Sequence, residues 1–336
     1  MAIDYPSLDK PTAGAIRFNT ETSHMEIYDG NQWVNVRSGL VPNLQTAGTR
    51  GCFMSGYASP SDKDVIDYVN ISTTGNAIDF GNETVSRRQA GAVSSRIRGI
   101  CAAGTPDIDT IDYITFAITG NAIDFGNLTS SRNGAPAGCS DSTRGLFCGG
   151  AAPTQDTIEY ITMATTGNAI DFGNLLSDMK HGAGSASSPT RGVIAGGNTP
   201  SIQNVIQFVT ISTLGNATDF GDLDATRKGG GVGSSSNAVR GIFSGGYDPS
   251  ATDTIEFVTI ASLGNAKDFG DLSNGATTMP ATTASPTRVV VAGGGTSVKT
   301  NITYVQIMTT GDSKDFGDLT LAREQPAGCS NGHGGL

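Results

Sequence analysis

The chain has 336 residues, of which 15% are charged, 46 are Gly and 13 are Pro, a composition that suits a turn-rich β protein better than a helical one. A net charge of −10 and a pI near 4.7 argue against binding a nucleic-acid backbone, which needs clustered Lys and Arg. No apolar run approaches the roughly 18 residues of a membrane helix, so membrane insertion is not expected.

The chain starts MAIDYPSLDK, with no hydrophobic stretch of signal-peptide type, and synthesis in a reducing cytoplasm is the expectation. Residues 1–45 stand outside the pattern that fills the rest. Within them, Ile16 to Asn19 and Met25 to Tyr28 are predicted to pair as a small hairpin. Asp29-Gly30 makes the next turn, and Trp33 caps the apolar side. A unit this small is marginal alone and is expected to dock on something larger. Arg17, Phe18, Tyr28 and Trp33 are the candidate attachment residues.

From residue 46 onward one phrase recurs six times. Asp79, Asp124, Asp171, Asp219, Asp268 and Asp315 each open an Asp-Phe-Gly step, at spacings of 45, 47, 48, 49 and 47 residues. An aromatic stands 11 residues before each, at Tyr68, Tyr113, Tyr160, Phe208, Phe257 and Tyr304. An Arg-led segment comes earlier still, at Arg50, Arg98, Arg144, Arg191, Arg240 and Arg288. A period of roughly 40–50 residues without helical periodicity suits a four-stranded propeller blade. Residues 46–336 are therefore predicted to form a six-bladed β-propeller.

The third repeat gives the strands: Gly134 to Ser140, Arg144 to Gly150, Thr157 to Met163, and about Ala169 to Leu175. The turn Thr165-Thr166-Gly167-Asn168 has the residues a chain reversal with positive φ needs. The Gly-rich strand is predicted innermost, where bulky side chains would collide. Leu40 to Ala47 offers no such strand to the first repeat, whereas Gln325 to Ser330 is one without a blade of its own. The C-terminal strand is thus expected to complete the first blade and remove the free sheet edges.

Five cysteines, Cys52, Cys101, Cys139, Cys148 and Cys329, lack CxxC spacing and are expected to be buried free thiols. Each Asp-Phe-Gly is followed by Asn or Asp, a pair that a hard cation could use. The six-fold repetition favours a folding device instead, with the first carboxylate bonding backbone amides and the second capping the turn. The recurrent Arg is expected to pair with the repeated Asp of a neighbouring blade. His24, His181 and His333 fall in three unrelated contexts, so no metal, cofactor or catalytic residue is expected, and the protein is not expected to be an enzyme.

Variation concentrates after Gly56, Gly104, Gly150, Gly197, Gly246 and Gly294, where the copies read ASPSDKD, TPDID, AAPTQD, NTPSIQN, YDPSATD and GTSVKT. A scaffold that fixes strands and frees loops is how recognition surfaces are commonly built. Asp62, Asp107, Gln155, Asn198, Asp248 and Asp253 are accordingly the candidate binding-face residues.

Two segments resemble known proteins. GAIRFNTETSHMEIYDGNQW is similar to a short module common in bacteriophage tail fibres and other virion appendages. The TTGNAxDFGDL repeats resemble kelch-like propellers in structural proteins of tailed phages, notably those of marine cyanobacteria. The repeats lack the Trp of true kelch motifs, since Trp33 is the only Trp and lies outside them. The resemblance implies a virion structural protein, a tail fibre or appendage component. Its partners would be other virion proteins, copies of itself and a host-surface glycan or protein. It implies no catalytic residues. A head decoration or collar protein, and a bacterial carbohydrate-binding or hydrolytic propeller, are the alternatives.

Overall fold

The computed structural model describes residues 11–19, 24–35, 48–182, 184–233, 235–295 and 298–336. Parts of the N-terminal arm and of the sixth variable loop lie outside these. The chain divides into two units, 1–44 and 45–336, and every regular element described is a β-strand.

In the first unit three strands, Ile16–Asn19, His24–Tyr28 and Trp33–Asn35, form an antiparallel meander with Phe18 opposite Met25 and Tyr28 opposite Trp33. Asp29 fixes the second turn: its Oδ1 accepts the amides of Asn31 and Gln32 at 2.8 and 2.7 Å, and these bonds hold its carboxyl below the usual range.

In the second unit each repeat folds into short antiparallel strands. The second repeat runs Gly91–Ser94, Arg98–Ala102, Ile108–Thr115 and Ile123–Arg132, hydrogen-bonded in that order. The third runs Ala137–Ser140, Arg144–Cys148, Gln155–Thr162 and Ile170–Met179. The Gly-rich strand Ala327–Ser330 pairs antiparallel with Arg50–Met54 of the first repeat, Cys329 opposite Cys52. The fifth repeat departs from the expected four strands. Its Val232–Gly233 segment pairs in parallel with Ala281 and Thr282 and with Gly328 of two other repeats. The backbones approach so closely that a side chain at Gly233 would stand 2.0 Å from the Gly328 carbonyl oxygen.

The repeated phrase is a latch between repeats. In the second repeat the turn glycine Gly120 donates its N–H to the carbonyl of Phe80, in the Asp-Phe-Gly of the first, at 2.7 Å. The neighbouring Asn121 Oδ1 accepts the N–H of Asn82 at 3.1 Å. Both bonds recur from each repeat to the one before it, and the pair Gly75 to Phe316 and Asn76 to Asp318 joins the first repeat to the last. The series therefore closes on itself. The glycine of each Asp-Phe-Gly is required by this approach: at Gly173, with φ +147°, an added Cβ would lie 2.5 Å from the Gly215 carbonyl oxygen.

The recurrent Arg makes a second closed series, and here the expectation of Arg–Asp pairing is corrected. Each guanidinium lies over its own repeat's aromatic, 4.4–4.9 Å from the ring centroid. Each donates to a backbone carbonyl of the following repeat: Arg98 to Met163, Arg144 to Ile211, Arg191 to Ile260 and Arg240 to Ile307, at 2.9–3.1 Å. Arg288 reaches Ile71, and Arg50 reaches Phe116, completing the round. The repeated Asp carboxylates, Asp79 to Asp315, are exposed and accept no hydrogen bond among the described residues. Carboxylates kept in water gain little from pairing, and the Arg is already satisfied by a carbonyl and a ring. Their phenylalanines are buried, each edge-on to the same aromatic at 5.9–6.2 Å.

A third set of contacts was not foreseen. Arg87, Arg132 and Arg323, which end the last strands of their repeats, and Arg227, which lies beyond the end of its own, are buried in ion pairs with Asp112, Glu159, Asp67 and Glu256 of the following repeat. At the two remaining junctions the equivalent residues are Met179 with Gln207 and Thr277 with Thr303, so both charges are missing together.

One junction carries an extra charge. Glu83 is buried where Leu128, Leu175, Leu223, Leu272 and Leu319 stand in the other repeats, and burial pushes its carboxyl up to about 7. A raised carboxyl favours folding only while protonated, so its contribution is full below about 4.5 and is lost as pH rises through about 7. Glu83→Leu recreates the single-acid arrangement of the Arg132, Arg227 and Arg323 junctions. The variant is expected to be more stable than the parent by about 1–3 kcal/mol at pH 8, with the difference vanishing near pH 4.5. Urea unfolding at the two pH values measures it, and an equal effect at both would refute the assignment.

At their C-terminal ends the Gly-rich strands are tied by serine hydroxyls. Ser94 Oγ donates to the Ser330 carbonyl at 2.7 Å, Ser140 Oγ to Ser94 at 3.0 Å, and Ser236 Oγ to Ser187 at 2.8 Å. Residues 331–336 fold back over these ends. His333 and Leu336 are buried, His333 Nε2 lies 3.1 Å from the Ser94 carbonyl and 3.3 Å from Ser140 Oγ, and Gly334 donates to Ser236 at 2.8 Å. The five cysteines are free and buried, as their spacing suggested.

Candidate functional site

The opposite ends of the Gly-rich strands are entered by linkers from the preceding outer strands. Each linker has at least one residue with positive φ: Gln89 (56°), Gly134 (77°, followed by Ala135 at 49°), His181 (51°), Gly229 (59°), Met279 (47°, with Gly275 at 78° earlier in the same linker) and Gln325 (59°). Their backbones bond in succession, His181 N–H to Gly134 at 2.6 Å, Gly229 to His181 at 2.8 Å and Met279 to Gly229 at 2.6 Å. Only Gly adopts this conformation without penalty, and other residues spend about 1 kcal/mol or more on it. The backbone requirement is thus common to all six linkers, while Gln, His and Met occupy four of them against the backbone's preference.

These side chains face a cavity of about 340 Å³ lined by Gln89, His181, Lys228, Tyr247, Met279 and Gln325, with Thr278 and Gly229 between them. Gln89 Oε1 accepts a bond from Thr105 Oγ1 at 3.1 Å, and its amide nitrogen lies 3.7 Å from Met279 Sδ. Two buried atoms, His181 Nδ1 and Gln325 Oε1, have no hydrogen-bond partner among the described residues. Burial, then Lys180 and Lys228, push His181 down to about 4, so its ring is neutral at pH 7. Lys228 lies over the Tyr247 ring, its Nζ 5.5 Å from the centroid, and has no acidic partner within ion-pair distance among the described residues.

The variable loops border the same end. Arg88 and Thr105 exchange backbone bonds at 2.8 and 3.2 Å, as do Lys228 and Tyr247 at the same lengths, so each linker is stitched to a loop. The candidate loop residues do not assemble into one group. Asp62 pairs with Arg88 at 2.9 Å, Asp107 accepts a bond from Asn133, and Asp248 accepts one from Thr226. Gln155 begins a strand half-buried, Asn198 borders a separate cavity with Met179 and Gln207, and Asp253 is among the acids that raise Asp271 after burial. The loop carboxylates so far placed are local ties, and the convergent polar groups are on the linkers.

In the N-terminal unit the four candidate residues divide between two faces. Arg17 stands 4.3 Å over the Trp33 ring and 2.7 Å from Glu26, and Tyr28 packs on Trp33 at 5.4 Å. Phe18 is 58% exposed on the other face with Ile16 and Met25.

The linker position was legible in principle. It falls ten residues after the Asp of Asp-Phe-Gly in five of the six repeats, at Gln89, Gly134, His181, Gly229 and Gln325. The expected Gly-rich strands absorbed Gly134 and Gln325, and a shared backbone conformation leaves no shared side chain to set the position apart. Among the described residues no group of three or more His, Cys, Asp or Glu is placed to hold a metal ion. A scan against protein-family models finds no match for the chain, and a search of curated proteins finds none.

Proposed function

We propose that residues 46–336 form a closed six-bladed propeller, and that the protein is a non-enzymatic component of a phage particle whose loop-and-linker end meets a host surface. The observation that carries this reading is a division of labour among the repeats. The side chains that recur and are buried or bonded, the turn Asn, the Arg, its aromatic and the Phe, are engaged in joining one repeat to the next or packing within it. What differs from copy to copy gathers at one end, in the variable loops and in the linkers around the cavity. A rigid ring with individual loops is a recognition scaffold. The phage assignment rests on the resemblance of both segments to virion proteins. The exposed apolar strip of Ile16, Phe18 and Met25 gives the N-terminal unit a means of docking on other virion proteins or on copies of itself.

Immunogold labelling of purified particles with antibodies against residues 46–336 tests the location. Labelling of tail appendages is expected. Label confined to the head or collar would favour a decoration role, and unlabelled particles would remove the virion reading.

A further inference from the structure

We propose that the cavity at the linker end binds a single polyhydroxylated unit carrying one carboxylate, the chemistry of an acidic sugar residue. This rests on the recognition-head reading and gives it a ligand class.

The lining is built from different residues in a setting that otherwise repeats. Gln89, His181 and Gln325 come from three repeats, and Lys228 and Tyr247 from a linker and the loop stitched to it. Amide groups and a neutral imidazole are bidirectional hydrogen-bonding partners suited to hydroxyls, which both donate and accept. His181 Nδ1 and Gln325 Oε1 are buried and without hydrogen-bond partners among the described residues, an arrangement that favours a polar ligand able to reach them. Met279 and the Tyr247 ring supply apolar surface for the carbon face of a ring.

The charge comes from one residue. In a chain of net charge −10, Lys228 is a half-buried cation with no acid at ion-pair distance among the described residues, and Lys180 is close enough to add to the field felt at His181. One ammonium without an Arg fork matches a monoanion better than a phosphate dianion. The volume, about 340 Å³, lies at the small end of ligand pockets, so the occupant is one unit of a chain and not an extended oligomer.

Separate titrations of the full chain with glucuronate, glucose and inorganic phosphate, followed by NMR chemical-shift changes, test the assignment. Glucuronate is expected to bind about ten-fold or more tighter than glucose, the worth of one charge-assisted contact. Lys228→Gln should bring glucuronate down to the level of glucose, and Gln325→Ala should weaken both, with the melting temperature unchanged in the first variant. Phosphate binding as tight as glucuronate would mean a simple anion site and would overturn the proposal. So would silence from both sugars, or binding that survives both substitutions. None of these results bears on particle labelling, so the pocket and the virion location fail separately.

Discussion

Removing residues 324–336 is expected to lower the melting temperature by about 5 °C or more, since several kcal/mol are lost and each is worth roughly 1–2 °C in a chain of this size. The deletion takes away the strand Ala327–Ser330, its antiparallel ladder with Arg50–Met54, and the fully buried Ala327 and Cys329. It also removes Ser330 Oγ, which donates to the Ala284 carbonyl at 2.5 Å and ties the last repeat to the first. Arg50–Met54 would be left with an unpaired edge, the condition that promotes association between chains. A shorter deletion, 331–336, separates two contributions. It keeps the strand and loses the buried His333 and Leu336, the contacts of this segment with Ser94, Ser140 and Ser236, and the two bonds between Asn331 and the Arg50 backbone, so an intermediate loss is expected. Calorimetry and sedimentation of the two truncations give the comparison. A 1–323 protein that melts with the parent and stays monomeric would refute closure by the C-terminal strand.

Much of this was readable because the repeats are near-copies. The period of Asp-Phe-Gly located the strands of every repeat but the fifth, whose Gly-rich segment pairs elsewhere, and the orphan QPAGCS segment pointed to the pairing that the antiparallel register of Ala327 with Met54 realises. What failed was the assignment of partners to charged residues. Asp79 and its equivalents looked like half of an ion pair because they recur as strictly as the Arg does. Recurrence marks a shared environment, which for these carboxylates is solvent. Only distance could tell that Arg98 reaches past them to the Met163 carbonyl.

The linkers failed for the opposite reason. Gln89, His181 and Met279 share a backbone conformation and no chemistry, so a comparison of side chains sees only noise there. The tail 331–336 was similarly opaque: NGHGGL has the composition of a flexible end, and its burial depends on the small residues of four strand ends that are far away in sequence. Both belong to the tertiary level, where six repeats meet, and a single repeat carries no record of it.

The ion pairs between repeats are the case where the sequence held the answer in a form that needs the repeats aligned against their neighbours. Arg132 and Glu159 are fully buried, 2.7 Å apart, and an uncharged pair, Met179 and Gln207, occupies the equivalent places one junction on. Gln207 keeps one duty of the acid, accepting the Leu176 amide at 2.8 Å as Glu256 accepts that of Asp224 at 2.7 Å. The fold therefore accepts either both charges or neither. Glu159→Gln alone leaves the Arg132 guanidinium buried without its counter-charge and is expected to destabilise by about 3–5 kcal/mol. Arg132→Met with Glu159→Gln reproduces the Met179 and Gln207 junction and is expected to lie within about 1 kcal/mol of the parent, because no charge is left uncompensated. Urea unfolding of the parent, the two single variants and the double variant yields the coupling directly. If the double variant is as unstable as the Glu159→Gln protein, the pair contributes through packing specific to its own junction, and the rule of both charges or neither is wrong.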